Sequence, residues 1–122
     1  MYDYKDCLEL AGAKVHSFKC FGSSQGDWLA KITYNGQDGI VHGYYGSCSG
    51  CDEIESTLEY VWDDGSEDSK ERITRNTEKA TELGRKYLND FQDIAKLRES
   101  FEKQSEWDSD AREMIDFIDS NA

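Results

Sequence analysis

The sequence contains no proline, no internal repeat and no flexible linker. Proline is the residue that most often ends or kinks an element. Its absence from a chain of 122 residues favours one continuous body over two separate units. We therefore expect a single α+β domain over residues 1–122. Long apolar runs are missing too. No stretch approaches the roughly 18 residues that a membrane span needs. The start, Met1-Tyr2-Asp3-Tyr4-Lys5-Asp6, has neither the basic opening nor the apolar centre of an export signal. No membrane partner is expected, and the expected compartment is the cytoplasm.

Basic residues are scarce: 14 Lys and Arg stand against 26 Asp and Glu, a net charge of −12. Such a surface repels phosphate backbones, so direct nucleic-acid binding is disfavoured and a partner protein with a basic surface is favoured. Acidity also serves solubility alone. There are two histidines, His16 and His42, and neither has an acid beside it in sequence. No Gly-rich phosphate loop, nucleophile elbow or His-Glu metal motif is present, and no carboxylate pair is singled out by its spacing. The expectation is a protein without catalysis and without a cofactor. Four cysteines, Cys7, Cys20, Cys48 and Cys51, in a chain with no export signal read as reduced thiols.

What the chain does have is aromatic bulk. Five Phe, seven Tyr and three Trp supply large buried area and argue against disorder. Tyr4, Cys7, Leu8 and Ala11 recur at helical spacing over residues 3–11, with Gly12 as a stop. Three runs, about 14–21, 27–34 and 39–45, then read as strands. They are separated by the turn Gly22-Ser-Ser-Gln-Gly26 and by Asn35-Gly36, a favoured hairpin pair because both residues tolerate positive φ. The expected unit is a three-stranded antiparallel meander, with Trp28, Ala30, Ile32 and Tyr34 on its core face. By the same alternation His16 and Cys20 fall on the face of Phe18.

One face of this sheet needs a cover, and the second half supplies helices. Ile54, Leu58, Val61 and Trp62 form one stripe of a helix starting near residue 50 and ending at Asp63-Asp64-Gly65. Ala80, Leu83, Tyr87, Phe91, Ile94, Leu97 and Phe101 then step by three or four residues. This seam predicts a long helix from near Ser66 or Ser69, with an interruption expected around Asn89-Asp90. It serves the sheet or a second copy of the chain equally well, so a homo-oligomer stays open. A last helix, about 106–119, carries Trp107, Ala111, Met114, Ile115 and Ile118 on one side, behind a capping box at Ser105 and Asp108.

The most distinctive segment is Gly43-Tyr44-Tyr45-Gly46-Ser47-Cys48-Ser49-Gly50-Cys51-Asp52. Ser49 and Asp52 have capping-box spacing, which places Cys51 in a first helical turn and Cys48 just before it. A helix dipole there favours a thiolate, but Asp52 and Glu53 oppose it. Cys48 and Cys51 also have the spacing of half a zinc site that Cys7, Cys20, His16 or His42 would have to complete. A zinc-stabilised structural or interaction module is accordingly the alternative reading. Buried thiols beside a capped tight turn account for the same residues without a metal.

From Gly26 to about Leu58, the hairpin with Asp27-Trp28-Leu29 and the Gly-Ser-Cys-Ser-Gly-Cys-Asp segment resemble a group of small, uncharacterised bacteriophage accessory proteins. The resemblance covers roughly a quarter of the chain and brings no catalytic residue with it. It implies a phage protein acting in the cytoplasm of a bacterial host cell.

Between residues 52 and 69 lie eight acids and no Lys or Arg. Asp52, Glu55 and Glu59 share one face of the expected helix, and Asp63, Asp64, Glu67 and Asp68 follow. Carboxylate arrays of this kind imitate phosphate spacing and occupy basic channels, gaining on-rate from steering. In composition the chain is similar to small phage inhibitors of restriction or CRISPR enzymes. The expected function is inhibition of a host defence or nucleic-acid-handling protein, with those seven acids as the partner-binding residues. A second acidic set, Glu106, Asp108, Asp110, Glu113, Asp116 and Asp119, accompanies Arg112 near the C-terminus.

Overall fold

Asn35 and Gly36 both take positive φ, 51° and 78°, the geometry of the tight two-residue turn that matches strand twist. They join β2 (Gly26–Tyr34) to β3 (Gln37–Tyr45), and β1 (Lys14–Gly22) pairs with the other side of β2, an antiparallel sheet in the order β1-β2-β3. The computed structural model describes residues 2–46, 52–59, 62–89 and 93–120. Before the sheet comes helix α1 (Tyr4–Leu10), opened by a capping box between Asp3 and Asp6 and released at Gly12, whose φ is +104°. After it come α2 (Glu53–Thr57), α3 (Glu67–Asn89), α4 (Ile94–Gln104) and α5 (Ser109–Asp119). The α+β order read from the sequence holds.

The sheet is covered on both faces, where one had been expected. On the first face Trp28, Ala30, Ile32 and Val41 are buried against Tyr4, Cys7 and Leu8 of α1, Ile54 of α2, and Ala80, Leu83 and Leu88 of α3. Trp28 stacks on Tyr4 and Phe18 at 5.1 and 5.6 Å between ring centroids and meets the edge of Tyr87 at 5.0 Å. Gly43 makes room for that indole, because a Cβ there would lie 2.3 Å from its ring. Gly84 performs the same service between helices: a Cβ on it would meet the Cys7 carbonyl at 1.9 Å, so α1 can cross α3 only over a residue with no side chain. On the second face Leu29, Ile40 and Phe21 meet Leu97 and Phe101 of α4 and Ala111 and Met114 of α5.

The seam from Ala80 to Phe101 is thereby divided. Its first part enters one core and Leu97 and Phe101 enter the other, while Ile94 is 43% exposed and Phe91 lies outside the described residues. The break follows the expected interruption at Asn89-Asp90, and Asp93 restarts the helix by accepting from the amides of Ala95 and Lys96. Trp107 departs from its expected inward stripe. It is 75% exposed in the turn before α5, which Asp108 caps, while Ser105 closes α4. Among the described residues no helix is long and apolar enough to cross a membrane.

Candidate functional site

Asp52 is the first of the candidate acids, and its carboxylate is used inside the chain. Oδ1 accepts from the Ile54 amide at 2.9 Å and from the Tyr4 hydroxyl at 2.6 Å, and Oδ2 accepts from the Gly46 amide at 3.1 Å. One side chain thus caps α2, ties it to α1, and holds together the two ends of the segment that contains Cys48 and Cys51. Those cysteines and Ser49 lie outside the described residues. The expected box with Asp52 in the third helical position gives way to Asp52 as the cap itself. Burial, and then the Asp52 carboxylate, push the Tyr4 phenol well above its ordinary range. Next to it Glu53 accepts from Lys86 Nζ at 2.8 Å and from the Tyr87 hydroxyl at 3.0 Å.

Helix α2 is one turn and a half long, far short of the expected run to residue 62. Ile54 and Leu58 are buried as the spacing required, but Leu58 is already extended, with φ −94° and ψ 147°. The competing interaction comes from α3. Buried Asn76 accepts from the Glu59 amide and donates to the Glu59 carbonyl, both at 2.8 Å, which takes the peptide groups that a continuing helix would use. Glu55 is consequently the one member of the Asp52, Glu55, Glu59 set within the helix, and the side chains of Glu55 and Glu59 are exposed. Trp62, expected on the buried stripe, is 74% exposed, and Val61 lies outside the described residues.

The remaining acids occupy the approach to α3 and its first turn. Asp63 Oδ1 accepts from the Gly65 amide at 3.1 Å and Asp64 Oδ1 from the Ser66 amide at 2.9 Å. The hydrogen bonds from Ser66 hold the Asp64 carboxyl below its usual range. Ser66 Oγ accepts in turn from the Ser69 amide at 3.1 Å, capping the helix. Glu67 lies 3.6 Å from Lys70 and Asp68 lies 3.2 Å from Arg72, exposed pairs of the kind that contribute little. The four carboxylates Asp63, Asp64, Glu67 and Asp68 therefore share one exposed stretch next to Trp62. Their place at a helix N-terminus also favours negative charge locally.

The other candidate metal ligands are dispersed. Cys7 is fully buried in the first core, and burial with Asp3 and Asp6 nearby pushes its thiol up to about 12. Cys20 is exposed on β1, its thiol raised by partial desolvation and Asp3. His42 lies on the second face, where its Nε2 meets Asp27 Oδ2 at 2.6 Å and its ring meets the edge of Phe101. Sequence reading missed this pair because the partner is on the neighbouring strand. The hairpin register, with Leu29 opposite His42, places Asp27 two residues away on the same face. His16 is also displaced from its expected face. A bulge between Val15 and Ser17 turns it away from Phe18 and onto the hydroxyl of Thr33, 2.7 Å from Nε2. Among the described residues no three His, Cys, Asp or Glu side chains are grouped to hold a metal.

Comparison with known protein families, with curated proteins and with solved structures found no match to this chain.

Proposed function

We propose that the protein is a non-catalytic binding module that docks its acidic 59–68 segment on a basic surface of a partner protein. The observation that carries this reading is the exposure of Trp62 beside Asp63, Asp64, Glu67 and Asp68. A tryptophan supplies contact area at small entropic cost and is enriched among residues that dominate binding energy. Carboxylates around it steer a cationic partner and fix the register of docking. Glu55 and Glu59 extend the charged surface, and Asp52 serves it indirectly by holding α2 in place. The resemblance to phage accessory proteins makes a host defence or nucleic-acid-handling protein the proposed target, with inhibition by occupation of its basic channel.

The zinc alternative draws on the Cys48 and Cys51 spacing. Docking is the better supported of the two, because the Asp52 carboxylate already joins the ends of that segment and the two histidines lie on the sheet face opposite Cys7. The test is capture and identification of the partner from a bacterial lysate, followed by titration with purified protein. Reversal of Asp63, Asp64, Glu67 and Asp68 to Lys, with the fold checked by circular dichroism, should weaken binding at least about 10-fold and slow association most at low salt. Unchanged affinity in the reversed variant removes the proposal. One equivalent of zinc in reductively purified protein, lost with the fold on Cys48→Ser, replaces it with the alternative.

A further inference from the structure

The bulge that turns His16 over places it among the residues lining a cleft. On the second face, at the Asn35-Gly36 end of the sheet, the strands and the helix pair α4–α5 line an open cleft of about 450 Å³, within the range of small-molecule sites. Its polar side is continuous across the sheet. His16 Nε2 meets the Thr33 hydroxyl at 2.7 Å, and that hydroxyl donates to Asp38 Oδ1 at 2.5 Å. Lys31, one register step further along β2, donates to the carbonyl and hydroxyl of Ser120 at 2.6 and 2.9 Å, and its ammonium lies 5.0 Å from the centre of the Phe117 ring. The opposite side is aliphatic: Ile94 from the start of α4 and Ile118 from α5. Ile94 is 43% exposed there.

The charges in this cleft have both signs, and that restricts the occupant. A simple anion meets Asp38 and a protein of net charge −12, while a simple cation meets Lys31. A molecule carrying both signs satisfies each of them and presents no net charge to the acidic chain. We propose that the cleft binds a small zwitterion of the amino-acid type with a branched aliphatic side chain. Its carboxylate faces Lys31, its ammonium faces Asp38, and its hydrocarbon lies on Ile94 and Ile118. This site is separate from the acidic docking segment and does not depend on it.

The probe is L-leucine, titrated into isotopically labelled full-length protein and followed by amide shifts. Saturable shifts at Gly39, Ile40, Ile94 and Ile118, with none over 67–75, are the expected result. 4-Methylpentanoate, which lacks the ammonium group, and 3-methylbutylamine, which lacks the carboxylate, should bind at least about 10-fold more weakly. Asp38→Asn should weaken leucine by a similar factor and strengthen 4-methylpentanoate, which no longer meets a like charge, a pattern that damage to the fold would not produce. Absence of saturable shifts, or equal affinity for leucine and either analogue, overturns the proposal.

Discussion

The two faces of the sheet are held by different chemistry. The first is aromatic and tied by several partly buried polar anchors: Tyr4 to Asp52, Tyr87 to Glu53, Tyr2 to Thr77 at 2.8 Å, and Asn76 to the Glu59 backbone. The second is an aliphatic and phenylalanine core with one partly buried polar pair, His42 and Asp27, and with further polar contacts toward its margins, where Arg98 grips Asp119 at 2.8 Å and Glu102, and Lys31 holds Ser120. Neighbouring residues of one strand, Trp28 and Leu29, serve the two cores, and both are fully buried. A cover on each face removes more apolar surface from water than one cover would, which adds stability to a three-stranded sheet this small.

The contrast can be broken hardest at its centre. Trp28→Ala removes the indole that joins α1, β2 and α3, and should cost about 3–5 kcal/mol by chemical denaturation. Phe101→Ala should cost about 3 kcal/mol, with faster amide exchange concentrated in α4 and α5 and slow exchange kept in α3. A loss of protection spread evenly over both layers would show that the two cores act as one.

Alkali should distinguish the faces next. Burial raises Cys7, Tyr4 and Tyr87, all on the first face. Each binds its proton more tightly when folded, so this contribution to stability is whole below the ordinary thiol and phenol range. It is lost as the pH climbs from about 9 toward the raised values. The denaturation midpoint should fall over that interval, and Tyr87→Phe should flatten the fall. Tyr4→Phe, which takes the hydroxyl from the Asp52 carboxylate, should cost about 1–2 kcal/mol at neutral pH. Arg98→Ala should have the smallest effect, since the pair it breaks is exposed to solvent. Arg98 holds the Asp119 carboxyl below its usual range. The small difference between parent and variant is therefore present at neutral pH and vanishes as acid protonates Asp119.

Local chemistry made much of the fold legible. Asn35-Gly36 marked a hairpin, Gly12 a helix end, and the stripe through Ala80 and Leu83 a long helix, because each of these depends on residues close in sequence. The failures share another cause. Helix α2 is cut short by Asn76 from a different helix, and Trp62 and Trp107 fit an apolar stripe yet face solvent. A bulge, one extra residue in the ladder, inverted the assignment of His16. The second cover was missed because alternation assigns one face of a strand to water, whereas β2 is buried on both. In the acidic segment, Asp63, Asp64, Glu67 and Asp68 are exposed, while Asp52 is spent internally as a cap, which composition does not show.

The outward position of two of the three tryptophans gives the protein a built-in optical reporter. Trp28, wrapped by rings, should emit from a dry environment, while Trp62 and Trp107 should supply red-shifted fluorescence open to a neutral quencher such as acrylamide. With Trp107 replaced by Phe, a molecule covering residues 62–68 would turn the remaining surface emission blue and shield it from the quencher. Occupancy of that stretch can then be followed in unlabelled protein.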